Sequence, residues 1–85
     1  MDYFPTIDDL LIYCRADEDD ATKSLLEDLR DSALEFLDGA GVEPTDSNCN
    51  RYKLAIKALV LHWFDNPGGG DLSPALWQMI TQLKY

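Results

Sequence analysis

The segment from Asn50 to Asn66, N-R-Y-K-L-A-I-K-A-L-V-L-H-W-F-D-N, decides the fold of this 85-residue chain. Its main apolar residues recur at the spacing of one helical face: Ile56, Leu59, Val60 and Trp63. Further apolar residues cover most of the remaining circumference: Leu54, Ala55, Ala58 and Leu61. They leave Lys53 and Lys57 as the clear polar strip. Because such a helix must be enclosed by others, the sequence predicts an all-α, small four-helix bundle with a central apolar third helix.

Two helices are predicted before this segment. The first spans about Ile7 to Arg15, and Thr6 with Asp9 has the spacing of a capping box at its start. The second spans about Ala21 to Asp38, and its apolar residues recur with helical period: Leu25, Leu26, Leu29, Ala33, Phe36 and Leu37. The segment from Ala40 to Cys49 is rich in turn-forming residues, so a loop of about ten residues, Cys49 included, is expected to lead into the third helix.

A fourth helix is predicted from Pro74 to about Leu83. Ser73 supplies its N-cap, and Pro74 takes the first helical position, where a missing N–H costs nothing. The glycines from Gly68 to Gly70 confer no preferred backbone geometry, so the C-terminal helix is expected to be hinged. It should bury four apolar side chains: Leu76, Trp77, Ile80 and Leu83. Three of these are also candidates for docking on a partner: Leu76, Trp77 and Ile80.

The charge of the chain is divided between its two halves. Residues 1–46 hold fourteen acids against three cations, whereas residues 47–85 hold two acids against four cations. The acidic half repels nucleic-acid phosphate, so DNA binding by this domain alone is not expected. The two halves differ in the sign of their net charge, so they offer complementary surfaces for packing one copy beside the next. The candidate interface or lumen residues are therefore Asp17, Glu18, Asp19, Asp20, Lys53 and Lys57.

The acidic run at residues 17–20 invites comparison with a calcium loop. A calcium loop begun at its first residue needs glycine at the sixth place and glutamate at the twelfth, but Thr22 and Asp28 stand there. Capping of the second helix by Asp19 or Asp20 is favoured instead, since carboxylates stabilise the positive end of a helix dipole. No metal site is expected.

The remaining reactive side chains form no catalytic motif. His62 has no nucleophile motif beside it, so a structural role is favoured. Cys14 and Cys49 lack the spacing of a zinc site or redox pair and are expected to be free thiols. No strand precedes the three glycines and no G-K-[ST] follows them, so a phosphate loop is not indicated. The sequence favours a protein that is not an enzyme and uses no cofactor. Without a signal peptide or membrane-spanning run, it is expected in the cytoplasm.

Four stretches resemble one known family when taken in order. They are C-R-A-D-E-D-D at the end of the first helix, L-L-E-D-L-R-D-S-A-L-E-F-L in the second, A-I-K-A-L-V-L-H-W-F-D-N-P in the third and L-S-P-A-L at the start of the fourth. Their order and spacing resemble the small tailed-phage head–tail connector family, the portal adaptor or head-completion proteins. The resemblance covers about Ile7 to Tyr85, except that the Pro67–Gly70 turn and the Cys49 loop have no counterpart.

This resemblance implies a structural virion protein that is assembled in the bacterial cytoplasm. Its copies would form a ring, usually twelvefold in the virion, that joins the phage portal protein to a tail-completion protein. DNA would pass through the ring without specific binding, and an acidic lumen suits such passage because it repels phosphate.

Two other classes of function stay open. A small acidic inhibitor or DNA mimic that binds a basic host protein explains the charge equally well. It does not explain the glycine link followed by a separately capped helix. A small enzyme or carrier with an aromatic pocket ranks last.

Overall fold

The structure, a computed structural model, describes residues 4–66 and 72–84. These residues form four helices and no strand: α1 (Ile7–Cys14), α2 (Asp20–Gly39), α3 (Cys49–Asp65) and α4 (Pro74–Lys84). The predicted all-α, four-helix fold class is confirmed. Helix α3 packs against each of the other three helices, and α1 also packs against α2. The third helix is therefore the central one, as its apolar circumference indicates.

The predicted capping residues set the starts of α1 and α2. Thr6 and Asp9 form the expected capping box, with hydrogen bonds of 3.1 Å in both directions between side chain and backbone N–H. The Asp19 carboxylate accepts from the N–H of Thr22 at 2.7 Å, which makes Asp19 the N-cap of α2. Helix α1 ends one residue earlier than predicted, because Arg15 takes the left-handed conformation with φ 52°.

The loop before α3 is one residue shorter than expected, and Cys49 is helical rather than part of it. Asn48 folds the end of this loop: its side-chain oxygen accepts from the N–H of Thr45 at 2.7 Å, and its amide donates to the carbonyl of Glu43 at 3.2 Å. This turn brings the chain into helical geometry at Cys49, so the prediction of a loop position for that residue is wrong.

The core draws side chains from all four helices and from the α2–α3 loop. The largest buried side chains, each no more than 2 % exposed, are Leu10, Leu26, Leu37, Val42, Ile56, Leu59, Val60 and Ile80. No charged or polar side chain of the described residues is buried with them. The core is thus apolar apart from the phenol of Tyr52, which is 3 % exposed, and the thiol of Cys14, which is 9 % exposed.

Three residues predicted for the core lie largely outside it, and one of them is Leu54 of α3, which is 43 % exposed. Leu25 is 47 % exposed and Trp77 is 48 % exposed. On α4, Leu76, Ile80 and Leu83 occupy the buried side, and Trp77 is turned about 100° from Leu76. Its ring instead rests beside Phe36 of α2, with centroids 5.8 Å apart.

The start of α4 is as predicted, since the Ser73 hydroxyl accepts from the N–H of Leu76 at 3.2 Å. The glycines from Gly68 to Gly70, on which the hinge prediction depends, lie outside the described residues.

Candidate functional site

The four acids at residues 17–20 are exposed where the chain passes from α1 into α2, with Asp20 as the first residue of α2, and we call them the acidic corner. Glu18 lies 3.7 Å from the Lys23 ammonium. The hydrogen bond from the Thr22 backbone N–H lowers the pKa of Asp19 from its ordinary value, since that bond favours the charged carboxylate. One acid of this corner therefore has a folding role, while the other three present their carboxylates to solvent.

The acids outside the acidic corner are also exposed to solvent. Every acid from Asp8 to Asp46 is exposed. On α2, Glu27, Asp31 and Glu35 stand four residues apart in a row, and Arg30 lies 3.8 Å from Asp31. The negative charge of the first half is therefore displayed on the surface rather than neutralised inside the fold.

Lys53 and Lys57 do not form the open side of α3, although the sequence indicates a polar strip there. Both are partly buried. They lie close enough to α1 to lower the pKa of Asp9, behind the larger effect of the hydrogen bonds between Asp9 and Thr6. Their charges therefore act on the first turn of α1.

The open side of α3 is apolar in its middle and charged at its ends. Arg51 and Asp65 are exposed, Leu54 is 43 % exposed, and Ala58 and Leu61 are partly buried. We call these five residues the α3 stripe. The apolar pattern of the sequence does not indicate this surface, because apolar residues surround most of the helix and all of them are expected to be enclosed. The spacing of its members, three and four residues in alternation, is the signal that could have revealed it.

The α3 stripe borders a shallow groove that runs along α4, and Tyr13 of α1 lines one part of this groove. One part of the groove, about 340 Å³, lies between Tyr13 of α1, Leu61 and α4. A second part, about 370 Å³, lies between Leu54 and α4. Ala75 and Met79 of α4 line both parts, so the two parts adjoin each other along α4.

His62 lines the first part of this groove. Its Nε2 atom is covered and has no hydrogen-bond partner among the described residues. In the described part of the chain, no group of three histidine, cysteine or acidic side chains is placed to hold a metal ion. Cys14 and Cys49 are both free, and burial raises the pKa of the Cys14 thiol, with a smaller contribution from Asp65.

The three residues predicted to dock on a partner are placed differently from one another. Leu76 is 6 % exposed and Ile80 is 2 % exposed, so their side chains are occupied in the core of the same chain. Trp77 presents about half of its surface to solvent. Any contact that α4 makes with a partner through these three residues therefore falls on Trp77.

Comparisons with family models, with curated proteins and with solved structures give no match for this chain. No helix among the described residues is both long enough and apolar enough to cross a bilayer. A functional conclusion therefore draws on the chemistry of the surfaces and on the resemblance in the sequence.

Proposed function

We propose that the chain is a structural virion protein whose copies form a ring adaptor between the phage portal and the tail, continuing the DNA channel. The observation that carries this proposal is the exposure of every acid from Asp8 to Asp46. In a ring, this surface is repeated around a lumen and repels the phosphates of passing DNA without regard to sequence.

The row of acids on α2 is well suited to that task. Residues four apart on a helix are about 6 Å apart along its axis. This spacing is shorter than the Debye length of about 8 Å at physiological salt, so the fields of Glu27, Asp31 and Glu35 add rather than being screened one by one. The row presents a continuous negative surface to DNA.

The second half of the chain supplies the opposite charge for ring closure. Lys53 and Lys57 are partly exposed on α3, beside the first turn of α1. A ring needs a heterologous interface, in which one face of a copy meets a different face of the next. The acidic corner and the cationic part of α3 are two such faces. Trp77 is available for contact with the portal or a tail-completion protein.

Native mass spectrometry of the full chain, alone and mixed with the portal protein of the phage or prophage that encodes it, tests the proposal. We expect closed oligomers, either free or on the portal, with subunit number confirmed by negative-stain images. Salt near 1 M reduces the Debye length to about 3 Å and should loosen a weak free ring. A strict monomer that also fails to assemble on the portal would refute the adaptor function.

The same α2 row also favours a second candidate, a small acidic inhibitor or DNA mimic that binds a basic host protein. Its carboxylates would replace phosphates in a DNA-binding groove. A pull-down from host lysate followed by competition with duplex DNA separates the two functions. Capture of a DNA-binding protein that duplex DNA releases would support the mimic, whereas assembly on the portal supports the adaptor.

A further inference from the structure

The α3 stripe leaves apolar surface uncovered on the central helix of the bundle. Leu54 is 43 % exposed, although α1, α2 and α4 all pack against α3. Covering such a side chain is favourable by about 25 cal/mol for each square ångström removed from water. The groove beside it extends along α3 for about 20 Å, the length of the fourteen-residue step from Arg51 to Asp65.

The order of residues along the stripe is nearly symmetrical about its centre. Ala58 stands seven residues after Arg51 and seven before Asp65, and Leu54 and Leu61 flank it on either side. Leu54 lies four residues before Ala58 and Leu61 three after it, so reversing the helix places alanine over alanine, each charged residue over the opposite charge, and each leucine within one residue, about 1.5 Å along the axis, of the leucine of the other copy. The centre of the stripe is also its smallest residue, which allows two helices to approach closely there.

We propose that the α3 stripe is the contact of a twofold dimer in which the α3 helices of two copies run antiparallel and cross at Ala58. Arg51 of each copy then faces Asp65 of the other, about 10 Å along the axis from the crossing point. The leucines on each side pack across the interface. Such a contact is isologous, since the same surface is used by both subunits.

Charge complementarity identifies the occupant as a second copy of this chain. A partner helix for this groove needs an acid near Arg51, a base near Asp65, small and apolar residues between them, and about 20 Å of length. The stripe itself, reversed, meets all of these requirements. The whole chain carries a net charge of −9, whereas the charges of the stripe sum to zero. Two copies that associate through the stripe therefore do not bring the acidic surfaces of the chain directly together.

Charge exchange tests the antiparallel arrangement most directly. Arg51→Asp places two acids opposite each other at both ends of the interface, and Asp65→Arg places two bases there. Each change should weaken dimerisation at least about tenfold, because two reciprocal pairs are lost together. The double variant Arg51→Asp/Asp65→Arg should restore it. Within one chain these residues are about 20 Å apart, so rescue cannot come from an internal ion pair.

Neither exchange should damage the fold. An acid near the start of a helix and a base at its end both interact favourably with the helix dipole. Sedimentation equilibrium of the full chain between about 10 μM and 1 mM measures the association, with circular dichroism as a check of helix content. A monomer over this whole range, or a double variant as weak as the single ones, would overturn the proposal.

A leucine pair and an engineered cysteine give two further checks. Leu54→Glu should abolish the dimer, whereas Leu25→Glu, at a similarly exposed leucine of α2, should leave it unchanged. In a Cys49→Ser background, Ala58→Cys should oxidise to a disulfide-linked dimer, and Ser24→Cys on exposed α2 should not. Equal effects of the two glutamates, or equal cross-linking of the two cysteines, would contradict the assigned surface. Ring assembly on the portal is measured separately. Absence of the dimer therefore leaves the adaptor proposal intact, and absence of the ring leaves the dimer proposal intact.

Discussion

Replacing Leu26 by alanine should destabilise the chain far more than the same replacement at Leu25, its neighbour on α2. Leu26 is 0 % exposed, whereas Leu25 is 47 % exposed. Truncating a fully buried leucine leaves a cavity and typically costs about 2 to 5 kcal/mol. A single core of this size yields only about 3 to 5 kcal/mol of net stability. We therefore expect Leu26→Ala to leave a substantial unfolded fraction even without denaturant.

The free energy of unfolding lost in the Leu25→Ala variant follows from the partial burial of that leucine. The alanine replacement removes three carbon atoms, worth about 0.8 kcal/mol each when fully buried. With about half of that burial present, the loss is roughly 1 kcal/mol, and solvent can fill the space. The difference between the two variants in free energy of unfolding is therefore about 1 to 4 kcal/mol.

Urea unfolding followed by circular dichroism measures this difference. The free energy of unfolding should fall by about 1 kcal/mol for each molar increase in urea. Leu25→Ala should therefore lower the urea midpoint of unfolding by about 1 M, and Leu26→Ala should lower it by about 2 M or more. The measurements should use the same low protein concentration, so that self-association contributes equally. Equal midpoint shifts would refute the orientation of α2, because the two side chains would then be equally buried.

Three further predictions concern caps and thiols. Asp19→Ala should lower the melting temperature more than Asp20→Ala, because the Asp19 carboxylate caps α2. Since folding lowers the pKa of Asp19, the stabilisation by this cap is complete above about pH 4 and is lost as the pH falls through the lowered pKa. Ser73→Ala should speed hydrogen exchange in the first turn of α4 and cost about 1 kcal/mol, and an unchanged exchange rate would contradict the cap. Cys49 should react with a thiol reagent before Cys14, whose burial raises its pKa and blocks access; equal rates would contradict that burial.

Local chemistry made the helices and their starts predictable from the sequence. Thr6 with Asp9 and Ser73 form the hydrogen bonds that their spacing predicts, and Asp19, one of the two candidate caps of α2, forms the third. These bonds join residues three apart, so they do not depend on how the helices pack. The one-residue difference at Cys49 arises from Asn48, whose side chain bonds backward to Thr45 and Glu43. No periodicity of apolar residues signals such a turn.

The open side of α3 could not be predicted because it depends on how neighbouring helices are arranged. Apolar residues surround most of this helix, so hydrophobicity alone does not distinguish the side left uncovered. The sequence pattern assigns that side to the two lysines, but α1 packs beside them and brings Asp9 within electrostatic reach. Long lysine side chains can cover apolar surface with their stems while the ammonium group stays in water. The uncovered side is instead marked by Leu54.

The two proposed associations respond to salt in opposite ways, and this follows from where the charges lie. Ring closure joins an acidic face to a cationic one, so screening removes attraction and should loosen it. Two copies paired through the α3 stripe bring together chains of net charge −9, and screening reduces their mutual repulsion. The stripe does contain opposite charges, but its leucines keep their contact in salt. An oligomer that dissociates near 1 M salt is therefore held by the acidic corner and its complement, whereas one that persists or tightens is held by the stripe.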